Sequence, residues 1–215
     1  MFQIEPAEIN SEVQYAYQEF FREQVHYLLS QGYQLCRPTL QSSQEEEEIS
    51  DFLCRGIQQF IEAFSSPDWC CWYCIRNEQP ESDNKETGKR RKRKDIVFEF
   101  TDTKPRLWYI FEAKRLSTKH GSNQYFKEGL HRFVKEQYAR LYPEAGMLGY
   151  VQDGTLPHWK AELMEWLHIH APELSHVSTQ STDIVITDFP SEWSSQHSRI
   201  SGSLITIFHV LIDCC

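Results

Sequence analysis

The chain has 215 residues, 40% of them hydrophobic and 13% aromatic, enough for one globular domain with a real core. No run reaches the length of a membrane span, and the opening MFQIEPAEIN lacks the charged-then-apolar layout of a signal peptide, so a cytoplasmic protein is predicted. The net charge of −9, taken by itself, argues against nucleic acid as a partner.

Residues 11–30 have the periodicity of an amphipathic helix, with Gly32 as its stop. Ser43, with Glu46 three residues on, has the pattern of a capping box that opens a second helix running to about Phe64. Its apolar stripe is Ile49, Leu53, Ile57, Phe60, Ile61 and Phe64. SSPD at 65–68 breaks it, and WCCWYCI at 69–75 reads as a buried strand. The odd count of seven cysteines predicts reduced thiols. Cys71 and Cys74 form a CxxC, read as small core thiols, with a zinc site as the minor alternative for want of two further ligands.

Residues 77–93 are polar and charged. Eleven of the 22 lysines and arginines fall between Lys85 and Arg115, and Lys89, Arg90, Arg91, Lys92, Arg93 and Lys94 are consecutive. Such a run is a candidate nucleic-acid surface on an otherwise acidic chain, or a solvated loop or localisation tag. It leads directly into Asp95.

DIVFEF (95–100) and RLWYIFEAK (106–114) form a predicted hairpin around Asp102, Thr103, Lys104 and Pro105. A third helix is expected over 123–142, with Phe126, Leu130, Phe133, Val134 and Leu141 inward, followed by a strand at 147–151. A helix at 157–169, a strand at 183–187, a polar loop and a last strand at 204–212 complete the reading. His168, His170 and His176 read as solvated histidines around a helix end. The order from 43 to 151 is helix, strand, strand, strand, helix, strand, which predicts one α/β domain with a mixed sheet.

A four-residue hairpin loop makes Thr101 face Arg106 and, counting back, sets Asp95 opposite Glu112. Glu112 and Lys114 share a face of their strand, so an acid pair and a base converge at one end of the sheet. Opposed carboxylates need compensation, which Lys114 supplies in part and a divalent cation would complete. The plain alternative is a surface salt bridge between Glu112 and Lys114.

Asp95 at a strand start, followed by Glu112-Ala113-Lys114 at the end of the next strand, resembles the signature of the PD-(D/E)XK nuclease superfamily. The element order from 43 to 152 is similar to its restriction-endonuclease-like αβββαβ core. FEAKRL, then Tyr125, Gly129, Arg132-Phe133 and Tyr138, then GMLGYV, resembles short bacterial members of that superfamily, and SQHSR and FHVLID resemble their tail. Lys94 stands where a proline often precedes the aspartate. The resemblance implies a single nuclease-like domain over 1–215, with a core at 43–152, an N-terminal helix and a C-terminal extension from 153. It implies Mg²⁺, or Mn²⁺, held by Asp95, Glu112 and the carbonyl of Ala113, with Lys114 serving the attacking water and the phosphate. Of Glu45 to Glu48, Glu46 is the choice for the further carboxylate, lying three residues before Ile49 on the sheet-facing side.

Arg132, on the flank of the third helix with Tyr125, Gly129 and Glu136, is a candidate phosphate contact. His197 and Arg199, in the polar loop, are candidates for the same surface. The expected function is a metal-dependent nuclease acting on DNA in preference to RNA. The alternatives are an RNA-directed nuclease and a catalytically silent member that binds nucleic acid or a partner. With no sequence-reading motif present, a regulatory or targeting protein partner is expected, as in a bacterial antiviral defence system. A homo-oligomer stays open.

Overall fold

A computed structural model of the chain describes residues 20–80, 93–104, 106–118, 121–180, 189 and 191–215, excluding the side chains of 78–80, 93 and 94. Its centre is a seven-stranded mixed, open sheet in the order β1-β2-β3-β4-β7-β6-β5. The strands are β1 (Tyr73–Pro80), β2 (Arg93–Phe100), β3 (Leu107–Leu116), β4 (Glu144–Val151), β5 (His176–Gln180), β6 (Glu192–Ser198) and β7 (Leu204–Asp213). β3, β4 and β7 run parallel, and the other neighbouring pairs are antiparallel.

Strand side chains alternate between faces, and the sheet therefore buries two separate cores. On one face Ile96, Phe98, Tyr109, Phe111, Leu148 and Val210 meet helices α1 (Arg22–Cys36) and α2 (Glu46–Glu62). On the other, Val97, Ile110, Met147, Ile207 and Leu211 meet α3 (residues 122–134) and α4 (Leu156–Ile169). α3 is composite: an α-helical turn Ser122–Gln124, a π-helical stretch Tyr125–Leu130 and an α-helical turn His131–Val134. Among the described residues, no helix is long and apolar enough to cross a membrane.

Several boundaries differ from the sequence reading. α1 runs through Gly32 to Cys36. That glycine is a contact point: a Cβ on it would lie 2.2 Å from Ile57 Cγ1, and one on Gly56 would lie 2.4 Å from the Gly32 carbonyl oxygen. The two glycines let α1 and α2 touch backbone to backbone. α2 starts at Glu46, and the Glu45 N–H donates to the Glu48 carboxylate at 2.9 Å, so the cap sits two residues after Ser43. WCCWYCI splits into a 3₁₀ turn (Asp68–Trp72) and the start of β1, with Cys70 buried and Cys71 exposed.

α3 ends at Val134, eight residues before the expected stop at Tyr142. The N–H groups of Gln137 and Tyr138 both return to the Arg132 carbonyl, and Glu136 and Ala139 take positive φ of 55° and 52°. Leu141, expected inside, is exposed. The stretch read as a polar loop around 195–199 instead contains β6, an inner strand of the sheet. The strand expected at 183–187 and residues 11–19 of the first helix lie outside the described residues.

Candidate active site

The β2–β3 register pairs Ile96 with Phe111 and Phe100 with Leu107, the register counted from the sequence. Beyond Ile96, β2 continues to Arg93 paired with β1 alone, and the two strands of the hairpin part. Asp95 and Glu112 sit where they part. Asp95 Oδ2 accepts the Ala113 N–H at 2.7 Å, taking up a donor that the ladder has released. Both side chains lie on the α3 face, because their strand neighbours Val97 and Ile110 belong to the core beneath α3.

Glu112 has no exposed surface. Its Oε1 accepts from Lys114 Nζ at 3.0 Å and from Arg132, and its Oε2 is buried with no partner among the described residues. Lys114 Nζ also donates to Glu46 Oε1 at 2.8 Å and to the Ala113 carbonyl, and lies 4.0 Å from Asp95 Oδ2. Glu46 reaches this point from the first turn of α2, on the opposite face of the sheet, and its Oε2 also accepts the Arg115 N–H at 3.2 Å. Arg132 comes from the last turn of α3, donates to the Tyr138 hydroxyl at 3.2 Å and lies over that ring. Gly129, one turn earlier, lets α3 settle: a Cβ there would lie 2.5 Å from Met147 Cε and 3.5 Å from Lys114 Cγ.

Burial dominates the electrostatics. It pushes the Glu112 carboxyl up to about 8, with Asp95 adding to the shift and Lys114 and Arg132 opposing it. Burial also raises Asp95 to about 6, against the pull of Lys114 and the Ala113 N–H. For Lys114 burial acts downward, but Glu112, Glu46 and Asp95 outweigh it and hold the ammonium above its ordinary range. Lys114 therefore keeps its proton and acts here as a charged hydrogen-bond donor, unsuited to act as a base.

Asp95, Glu112, Ala113, Lys114, Glu46 and Arg132 thus converge. His197 and Arg199 do not. His197 is fully buried in β6, where its Nδ1 is 3.0 Å from the Leu174 carbonyl and its Nε2 2.7 Å from Ser195 Oγ. Arg199 is buried and donates to the carbonyls of Ala139, Arg140 and Tyr142, supporting the positive-φ loop after α3. Their expected placement on a nucleic-acid surface is corrected on that ground. Lys89, Arg90, Arg91 and Lys92 lie outside the described residues, and Arg93 and Lys94 are described as β2 backbone only.

A buried polar chain escaped the sequence reading. Tyr125 OH bonds His209 Nδ1 at 2.9 Å, and His209 Nε2 bonds Ser195 Oγ at 2.7 Å, which leads on to His197. The Leu174 carbonyl only accepts, so His197 Nδ1 carries a proton. Every other donation is then fixed, ending with Tyr125 donating to His209. Both imidazoles are neutral in this arrangement, and burial lowers both pKa values, that of His197 to about 4. The chain pins the π-helical stretch of α3 to β6 and β7.

No family model, curated protein or solved structure matches the chain. Among the described residues, no group of three or more His, Cys, Asp and Glu side chains is disposed to hold a metal ion, including at Cys71 and Cys74. The acid–base cluster still suits a hard cation chemically. Its donors are carboxylate oxygens and a main-chain carbonyl, Glu112 Oε2 is a buried acceptor without a donor, and Mg²⁺ needs only one or two carboxylates besides water and substrate oxygens.

Proposed function

We propose that the chain is a metal-dependent nuclease that hydrolyses phosphodiester bonds at the end of β3, acting on DNA in preference to RNA. The observation that carries this reading is the meeting of Asp95, Glu112 and Glu46 around the single ammonium of Lys114, with Glu112 Oε2 left unpartnered. Ordinary surface ion pairs are solvated and do not leave a buried carboxylate oxygen without a donor. The order α2, β1, β2, β3, α3, β4 and the sheet order β1-β2-β3-β4 support a restriction-endonuclease-like core. β5, β6 and β7 enlarge the sheet beyond what that fold usually has.

Asp95, Glu112 and the Ala113 carbonyl would hold Mg²⁺ or Mn²⁺. When bound, such an ion supplies Lewis-acid polarisation of the phosphoryl oxygen and a more acidic attacking water. Lys114 stays protonated, so it directs N–H groups at the water and at the oxygens that gain charge in the transition state. Glu46 and the Ala113 carbonyl fix the direction of that ammonium. The basic run at 89–94 supplies phosphate contacts along the strand.

One observation favours a second reading, a catalytically silent nucleic-acid-binding member: both cations of the site already neutralise Glu112. The two readings part on one experiment. Purified protein is incubated with plasmid, linear duplex, single strands and RNA, with Mg²⁺ or with EDTA. Cleavage that needs Mg²⁺ and is lost in Glu112→Gln supports the nuclease. Metal-independent binding without cleavage supports the silent reading. The same panel decides DNA against RNA, and a role in bacterial defence under a partner protein is the setting proposed for such an activity.

A further inference from the structure

Two cations hold one oxygen of Glu112, and they are not equally committed to it. Lys114 is tied down elsewhere by Glu46 Oε1 and the Ala113 carbonyl, and its side chain is only 10% exposed. Arg132 has the Tyr138 hydroxyl and ring as its other support, and its side chain is 29% exposed. Tyr138 itself is almost wholly buried, on the loop that turns back after α3. Arg132 is thus anchored at a fixed pivot, with its guanidinium fork between a buried carboxylate and solvent. Five N–H donors in a planar fork suit a phosphate as well as a carboxylate.

The formal charges sharpen the point. With all three carboxylates ionised, the form in which they would hold a cation, Asp95, Glu112 and Glu46 against Lys114 and Arg132 leave one negative charge, and the neighbouring pair Arg115–Glu45 adds none. A divalent cation alone reverses that charge. A phosphodiester alone doubles it. The two together cancel it, and a low-dielectric site penalises uncompensated charge most.

We propose that Arg132 is an exchangeable counter-ion: it neutralises Glu112 until a divalent cation and a phosphodiester arrive, then passes from the carboxylate to the phosphate. This rests on the metal-dependent reading above. The consequence is that cation and nucleic acid bind cooperatively, each tightening the other by the same factor. Glu112, with its unpartnered Oε2, would be the group that holds the cation, and the released Arg132 guanidinium would take the anion, with Tyr138 holding the pivot throughout.

The test is calorimetric titration of the full chain with Ca²⁺ and with Mn²⁺, in the absence and presence of a saturating phosphorothioate-linked DNA oligonucleotide. The reciprocal titration of oligonucleotide uses fluorescence anisotropy. Wild-type protein should bind the cation about 5–150-fold more tightly with oligonucleotide present, with the same factor in reverse. Arg132→Gln should bind the cation more tightly on its own and lose most of the coupling, while Arg132→Lys, which keeps the charge, should retain part of it. Equal cation affinity with and without oligonucleotide in wild type overturns the exchange, as does full coupling in a folded Arg132→Gln or, should that variant not fold, coupling in Arg132→Lys that matches wild type. If no cation binds under either condition and Glu112→Gln behaves like wild type, the metal-dependent reading falls too.

Discussion

Lys114 on β3 and Glu46 on α2 meet at 2.8 Å across the end of the sheet, although Lys114 faces α3 and α2 packs on the other side. The contact is made around the strand end, where β2 and β3 have parted. It fixes an ammonium that also touches Glu112, and under the proposed function Glu46 would orient Lys114 toward the substrate phosphate. Replacing Glu46 with Gln keeps a weaker acceptor and should reduce cleavage by about tenfold, less than the loss of the ammonium itself. Steady-state rates on a DNA substrate check this, and unchanged cleavage in Glu46→Gln would remove Glu46 from the site.

The close crossing of α1 and α2 gives a stability prediction. A Cβ on Gly56 would meet the Gly32 carbonyl oxygen at 2.4 Å, and backbone cannot swing aside. Gly56→Ala should therefore cost about 1–3 kcal/mol through overpacking, read as a lower denaturant midpoint. Gly121→Ala, where nothing lies within 4 Å, is the control and should change little.

The buried histidine chain gives a pH prediction. The folded-state pKa of His197 is lowered to about 4, chiefly by burial, while an unfolded histidine titrates near 6.5. A depressed pKa gives stability that is present above the unfolded value and lost as pH falls toward the folded one. Between about pH 6.5 and 4, wild type should lose up to about 1.4 kcal/mol per pH unit relative to His197→Gln. Equilibrium unfolding of both proteins across that range checks it. A difference that does not move with pH would contradict the neutral, buried assignment.

How far the sequence revealed this arrangement depended on which rule controlled each part. Asp95, Glu112 and Lys114 could be placed together because strand side chains alternate and a hairpin's register follows from its loop. Glu46 was legible because it sits three residues before the buried Ile49. β6 was hidden because WSSQHS is polar, and its Ser195 and His197 are satisfied by each other, by His209 and by the Leu174 carbonyl. Gly32 looked like a helix stop because the sequence carries no sign of the partner helix it touches. The turn after α3 gave no warning, since Glu136 and Ala139 adopt positive φ without the usual glycine. That turn sets Tyr138 beneath Arg132, so the support of Arg132 was the part of the site most fully hidden.

The basic run remains a separate prediction. Neutralising Lys89 to Lys94 should weaken nucleic-acid binding and flatten its dependence on salt, by about 0.9 in the logarithmic slope for each lost duplex phosphate contact. Cation binding should survive. Anisotropy titrations at several salt concentrations check this, and an unchanged slope would make the run a solvated segment or a tag.

The most direct test of the central claim is Lys114→Ala, assayed for cation binding and for Mg²⁺-dependent DNA cleavage in the same preparation. Removing the ammonium takes a competing positive charge from beside Asp95 and Glu112, so the divalent cation should bind at least as tightly as in wild type. Cleavage should nevertheless fall about 10²–10³-fold, the usual worth of a preplaced electrostatic group in a dry site. A folded Lys114→Ala protein that binds the cation and cuts at the wild-type rate would contradict the account.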